Sequence, residues 1–149
     1  MPRTINDAAL DLIKQSEGCR LVAYQDVAGI WTIGYGHING VTPGMVMTQA
    51  QADQALIGDL LTAKTTVDDA TRDVFTSDNQ FGAMVSLCFN IGSANYRDST
   101  VLRQHRSGNF PAAAQAFLLW DKARVDGQLQ EVGGLLARRQ AESTLYRSA

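Results

Sequence analysis

A carboxylic acid, a second carboxyl nine residues on and a hydroxyl six further stand in the stretch EGCRLVAYQDVAGIWTIGYGH, as Glu17, Asp26 and Thr32. Two carboxyl groups suit glycosidic cleavage, in which one acid protonates the leaving oxygen while the other stays ionised. Such groups work only if the chain holds them in place. Leu10 and Ile13, with Leu12 beside them, predict a helix over residues 7–16, and Asn6 is the N-cap. Glu17 then falls at the C-terminal end of that helix. The macrodipole is negative there and disfavours an ionised carboxylate, which suits a proton donor. Beyond Gly18, residues 21–24 are apolar and aromatic and residues 30–35 are β-branched and aromatic, so a small hairpin or meander is expected with Asp26 in its loop. Gly34 and Gly36 flank Tyr35, asking for backbone conformations or close approaches that a Cβ would obstruct. Against this stands the bland alternative that a Glu, an Asp and a Thr fall within sixteen residues by chance.

Read in order, Glu17, Gly18, Asp26, Thr32, Gly34, Tyr35, Gly36 and His37 resemble the signature of the phage-type lysozymes of glycoside hydrolase family 24. The resemblance implies an endolysin: a muramidase that hydrolyses the β-1,4 bond between N-acetylmuramic acid and N-acetylglucosamine in bacterial peptidoglycan and so lyses the host cell. It casts Glu17 as the acid that protonates the departing sugar, and Asp26 and Thr32 as the pair that holds and activates a water. Tyr24, Tyr35, His37 and Asn90 become substrate-binding candidates. No metal or organic cofactor is implied. The fold implied is α+β and mainly helical, one lysozyme-like domain over residues 1–149. Its parts would be a small β-hairpin lobe at about 15–45, a linking helix at 48–64, and a helical lobe built from 65–149 and the helix 7–16.

Composition sets the outer bounds. A chain of 149 residues with 45% hydrophobic content can bury a core, and a net charge of -2 predicts no general attraction to nucleic acid. Residues 1–79 carry a charge of -5 and residues 80–149 one of +3. The basic half would suit an anionic cell wall, but ordinary surface variation explains it equally. The opening MPRTINDAALDLIK has no apolar run long enough for a signal-peptide core, and no stretch approaches the ~20 apolar residues of a membrane span. The expectation is a monomer made in the bacterial cytoplasm, without stable membrane association, that reaches glycan strands once a membrane-permeabilising holin opens the inner membrane. Cys19 and Cys88 lack metal-ligand or redox spacing and read as free thiols.

The remaining elements follow from caps and periodicity. Thr48 with Gln51 is a capping-box signature that opens the helix 48–64. Residues 67–75 form a second helix whose Asp68, Asp69 and Asp73 make a solvated acidic face rather than a metal site. The most hydrophobic helix spans 78–91, capped by Ser77 with Gln80 and ended by Gly92; Phe81, Met84, Val85 and Cys88 line its main face. Asn90, in the segment FNIG, is either a helix-end amide or, by resemblance, a group at the back of the cleft. Ser99 caps a helix that stops at Gly108, and Asn109 before Phe110 and Pro111 starts another to Trp120. Residues 122–132 read as a loop. Gly133 to Glu142 read as a last helix, whose Gly134, Leu135, Arg138, Arg139 and Glu142 resemble the family's C-terminal signature without giving either arginine a partner.

Two other function classes fit the same residues. A lytic transglycosylase or chitinase would use the same carboxylates but leave a different product, and a catalytically silent wall-binding module would have no need of all three of Glu17, Asp26 and Thr32.

Overall fold

Asn6 caps the first helix as its residue type asks. Its Oδ1 accepts from the Ala9 N–H at 3.0 Å, and the helix it opens, α1 (Asp7–Glu17), buries Ala9 and Ile13. The computed structural model describes residues 3–125, 128–131 and 133–148. The chain divides into two compact units, Ile13–Leu61 and Met1–Leu12 with Thr62–Ala149.

In the smaller unit, β1 (Arg20–Gln25) pairs antiparallel with β2 (Trp31–Gly34). Arg20 lies opposite Gly34, Tyr24 opposite Thr32 and Gln25 opposite Trp31, with an irregularity between Arg20 and Tyr24. Residues 45–47 run along β1, through Ala23 N–H to Met45 O at 2.8 Å and Met47 N–H to Leu21 O at 3.0 Å. The hairpin expected from the β-branched and aromatic pattern is thus present. The capping box at Thr48 is present as well: the Gln51 N–H donates to Thr48 Oγ1, and the Thr48 N–H donates to Gln51 Oε1. It opens α2 (Gln49–Asp59), which buries Ala52 and Leu56.

The single linking helix expected over 48–64 is corrected here. Helix α2 ends at Asp59, and a separate helix, α3 (Leu61–Thr71), follows it. At Leu60 the N–H reaches both Leu56 O and Gly58 O, a tightened last turn that stops the regular ladder without proline. The expected helix over 67–75 is likewise corrected, because its residues as far as Thr71 belong to α3. Asp68 and Asp69 pair with Arg72, and both oxygens of Asp73 take the Arg106 guanidinium.

The larger unit is organised on α4 (Asp78–Ile91), whose cap and end match the sequence signals. Ser77 Oγ accepts from the Gln80 N–H, Gln80 Oε1 accepts from the Ser77 N–H, and Gly92 closes the helix at φ 91°. Every residue from Gln80 to Cys88 is buried, so α4 is enclosed all round over that stretch. It meets α1 closely at Gly82: a Cβ there would stand 2.4 Å from the Ala9 Cβ, a distance no side chain tolerates. Then come α5 (Ser93–Arg97), α6 (Thr100–Arg106), α7 (Phe110–Ala116), a 3-10 turn (Phe117–Trp120) and, after an antiparallel pair, α8 (Gly133–Arg147), which packs along α4. Ser99 caps α6 as expected, through the Leu102 N–H. Asn109 precedes α7 but makes no side-chain cap bond, and the helix relies on Pro111 in its first turn.

The expected loop over 122–132 is also corrected. It contains the strands β3 (Lys122–Val125) and β4 (Gln128–Glu131), paired from Lys122 opposite Glu131 to Val125 opposite Gln128. The polar composition hid them. The sequence signal was the Asp-Gly dipeptide at 126–127; residues 126, 127 and 132 lie outside the described residues.

One buried polar group makes the stability of this unit depend on pH. His105 is 1% exposed, with Nε2 2.8 Å from Thr76 Oγ1, Nδ1 2.6 Å from the Tyr146 hydroxyl and its ring stacked on Phe110. Burial is the main cause that lowers its pKa from 6.5 to about 4; a backbone bond at Phe75 pushes the other way, and Arg106 adds to the lowering. The folded state therefore binds fewer protons than the unfolded state between these values, so stability is full above pH 6.5 and falls toward pH 4. The full shift is equivalent to about 3 kcal/mol at 1.36 kcal/mol per pH unit. Urea unfolding at pH 7.5 and pH 4.5 is expected to show most of that loss, and His105→Gln is expected to flatten it. An unchanged pH slope in the variant would remove His105 as the cause.

Candidate functional site

Glu17 owes its place to the way α1 ends. Gly18 takes φ 69° and donates its N–H to Lys14 O at 2.9 Å, a helix stop that leaves Glu17 as the last helical residue and half-buried. Facing it is a tight turn. Ile33 and His37 exchange two backbone bonds of 2.9 Å each, and the turn between them needs φ 65° at Gly34 and 79° at Gly36. A Cβ on Gly36 would stand 3.4 Å from Glu17 Oε1, so this stretch of backbone meets the Glu17 carboxyl where a side chain would crowd it.

Asp26 occupies the hairpin loop and organises it. Its Oδ1 accepts from the Ala28 N–H at 2.8 Å and the Ile30 N–H at 2.9 Å, and its own N–H donates to Ile30 O. One carboxylate oxygen thus ties down two loop amides, as short acidic side chains do in turns. Thr32, 4% exposed on β2, donates to Ile30 O at 2.9 Å, so Asp26 and Thr32 both bond to Ile30. Across the strand pair from Thr32 lies Tyr24, with the Arg20 guanidinium 4.1 Å from its ring centroid.

Tyr35 and His37 belong to the same unit. The Tyr35 hydroxyl accepts from Gln49 Nε2 at 2.9 Å, and His37 Nδ1 is 2.8 Å from Asp59 Oδ2. Asn90 belongs to the other unit, where its Oδ1 accepts from Arg139 Nη2 at 3.0 Å. Cys19 is exposed and Cys88 buried, both free thiols.

Sequence reasoning missed one group of polar residues and, in a second, the partners of residues it had named. One is Lys14, Gln49, Asp53 and Asp59, which hold Tyr35 and His37; the signal was Gln49 and Asp53 four apart on a capped helix. The other is the set of Arg138, Arg139 and Glu142 with Ser86. Glu142 Oε1 is 2.8 Å from Arg139 Nε, Glu142 Oε2 is 3.4 Å from Arg138 Nε, and the Ser86 hydroxyl donates to Oε2. Burial pushes the Glu142 carboxyl up, opposed by Arg139, then Arg138, then the Ser86 hydroxyl.

The small unit holds a helix-end carboxyl, Glu17, and a loop carboxylate, Asp26, tied to two amides, with the Thr32 hydroxyl bonded to the same Ile30. Among the described residues, no three His, Cys, Asp or Glu side chains are placed to hold a metal ion. A cavity of about 820 Å³ in the larger unit, walled by Phe75, Phe110, Pro111 and Tyr146, contains none of the candidate residues, whereas one of about 320 Å³ is lined by Asn90, Trp120 and Leu135.

Known proteins are similar to this chain in sequence and in fold. The family model described as phage lysozyme matches residues 14–142. The endolysin of Acyrthosiphon pisum secondary endosymbiont phage 1 is 41% identical over 145 residues, covering 97% of this chain and 99% of that protein. The structure of the endolysin from Escherichia coli O157:H7 phage FAHEc1 aligns with a TM-score of 0.93 at 40% identity, over 97% of this chain and 94% of that one. The muramidase domain of SpmX from Asticaccaulis excentricus aligns with a TM-score of 0.91 at 37% identity, over 99% of each chain.

Proposed function

This chain belongs to the phage lysozyme family, and we propose on that footing that Glu17, Asp26 and Thr32 carry out the hydrolysis of the muramic acid to glucosamine β-1,4 bond. The chain is a glycoside hydrolase of the lysozyme type with a mainly helical α+β fold, and its substrate is the peptidoglycan of the cell wall. Glu17 protonates the departing sugar oxygen. Asp26 stays ionised, takes the proton of the attacking water and stabilises positive charge that develops at the anomeric carbon. Thr32 orients that water. The observation that carries the reading is that one compact unit contains the helix-end Glu17 against Gly36, Asp26 pinned by two amides, and the nearly enclosed Thr32.

Tyr24 and His37 bind substrate in this unit, and Asn90 is the substrate-binding candidate of the other unit. Tyr35 belongs with Tyr24 and His37 through its backbone, since its hydroxyl is engaged by Gln49.

A water held between Asp26 and the sugar requires inversion, for which the two carboxyls stand about 6.5 to 9.5 Å apart, against about 5 to 5.5 Å when the second carboxylate attacks directly. Freshly released product, followed before mutarotation, is expected to be the α-anomer. An initial β-anomer would overturn the water-holding role of Asp26 and Thr32, and an anhydro end would transfer the chain to the transglycosylases.

The protein works as a monomer and reaches the wall after a holin has permeabilised the inner membrane. Expression alone in a bacterial cytoplasm is then expected to leave cells intact until a permeabilising agent is added. Prompt lysis without one would refute the dependence.

A further inference from the structure

Gln49 opens α2 with a carboxamide that holds two partners at once. Its Nε2 donates to the Tyr35 hydroxyl at 2.9 Å and to Asp53 Oδ1 at 3.0 Å. Asp53 Oδ1 also stands 3.4 Å from Lys14 Nζ, and that ammonium lies 5.6 Å from the Tyr35 ring centroid. Lys14 sits one helical turn before Glu17 on α1. Tyr35 directly precedes Gly36, where the backbone meets the Glu17 carboxyl. The contacts link Lys14, Asp53, Gln49 and Tyr35, and the α1 backbone at one end and Gly36 at the other join that chain to Glu17, so the whole forms a ring within one unit.

The ring answers a mechanical problem. A glutamate at a helix end has several rotatable bonds, and the wall it leans on is a turn with two glycines at positive φ, backbone that is intrinsically soft. Tyr35 carries the one side chain between those glycines. Its ring is buried at 9% exposure, and a buried phenol needs a polar partner, which Gln49 supplies. Asp53 secures the other side of Gln49: the Gln49 hydrogen bond, with burial opposing and Lys14 assisting, holds its carboxyl below the usual range.

We propose that Gln49 is a positioning residue for Glu17, fixing where the proton-donating carboxyl stands through Tyr35 and Gly36 on one side and Asp53 and Lys14 on the other. This rests on the reading of Glu17 as the proton donor. In this role Gln49 acts through its neighbours and not on the reacting atoms. Its loss therefore leaves substrate binding intact and misplaces the acid in the transition state, where small displacements are costly.

The test uses Gln49→Met, which keeps the length of the side chain and removes both donors, with turnover measured on a soluble peptidoglycan oligosaccharide. Expected is a fall in kcat of about tenfold with KM changed by less than about twofold, at a temperature well below an unaltered Tm. Tyr35→Phe, which removes the acceptor, is expected to lower kcat similarly, and the double variant no further than the worse single one, because both cut the same ring. Glu17→Gln measured alongside separates the two readings. If Glu17→Gln is inactive while Gln49→Met and Tyr35→Phe turn over at the wild-type rate, positioning by Gln49 is overturned and the proton donor stands. If Glu17→Gln keeps wild-type turnover, the proton donor itself falls and positioning falls with it. A loss in Gln49→Met seen only as a lower Tm, or additive losses in the double variant, would make Gln49 a structural residue and overturn the proposal.

Discussion

Glu17→Gln is expected to lower peptidoglycan hydrolysis by about 100-fold to 10,000-fold, the range that general acid catalysis supplies. The amide keeps the shape of the carboxyl and its fit against Gly36, but carries no proton to hand to a departing sugar oxygen. The change therefore separates chemistry from architecture. Glu17 ends α1 where Gly18 turns the chain away, and a Gln at that place satisfies the same backbone geometry. The variant should keep wild-type circular dichroism and still sediment with purified cell walls, while dye release from labelled peptidoglycan nearly stops. Wild-type release by a folded Glu17→Gln protein would end the assignment.

The second large effect concerns stability. Glu142→Gln is expected to lower the unfolding free energy by about 3 to 5 kcal/mol, the usual cost when one member of a buried ion pair is removed. Glu142 and Arg139 are fully buried, and Arg138 is 6% exposed, so the carboxylate shared by the two guanidiniums works away from solvent. Burial disfavours its charge, and the cluster as a whole need not stabilise the fold more than apolar packing would. That difference gives the control. Replacing Arg138, Arg139 and Glu142 together by Met and Leu is expected to recover much of the loss, because no charge then stays behind. A denaturant midpoint for Glu142→Gln equal to wild type would show that the carboxylate carries little of the stability.

These two sites differ in how openly the sequence announces them. Glu17, Asp26 and Thr32 sit within one short segment whose turns and aromatics already imply a helix end and a hairpin; local chemistry made them candidates, and the resemblance to a known family singled them out. The limits of α4 were equally plain, because Ser77, Gln80 and Gly92 each act on backbone groups one turn away. Glu142 gave no such signal. Two arginines and a glutamate at helical spacing look the same on paper whether the face is wet or buried, and what distinguishes them are partners distant in sequence, the Ser86 hydroxyl on Glu142 and Asn90 on Arg139. The break at Leu60 was hidden for a related reason: Gly58, Asp59 and Leu60 contain no proline, and the tightened turn is made by bonds that leave no mark on residue type. Gln49 went unnoticed because its partner Tyr35, and the Lys14 that pairs with its other partner Asp53, come from outside α2.

The enclosure of α4 sets a timescale as well as a shape. A helix buried on all sides from Gln80 to Cys88, with Gly82 pressed against Ala9, has no solvent-facing edge along which a single turn can fray. Its amide protons can exchange with water only when the surrounding unit opens cooperatively, whereas the hairpin loop around the fully exposed Val27 can open by itself. The hairpin loop and the core helix are thus expected to run on separate clocks, with the loop amides exchanging without the slow opening that would expose the core to proteases.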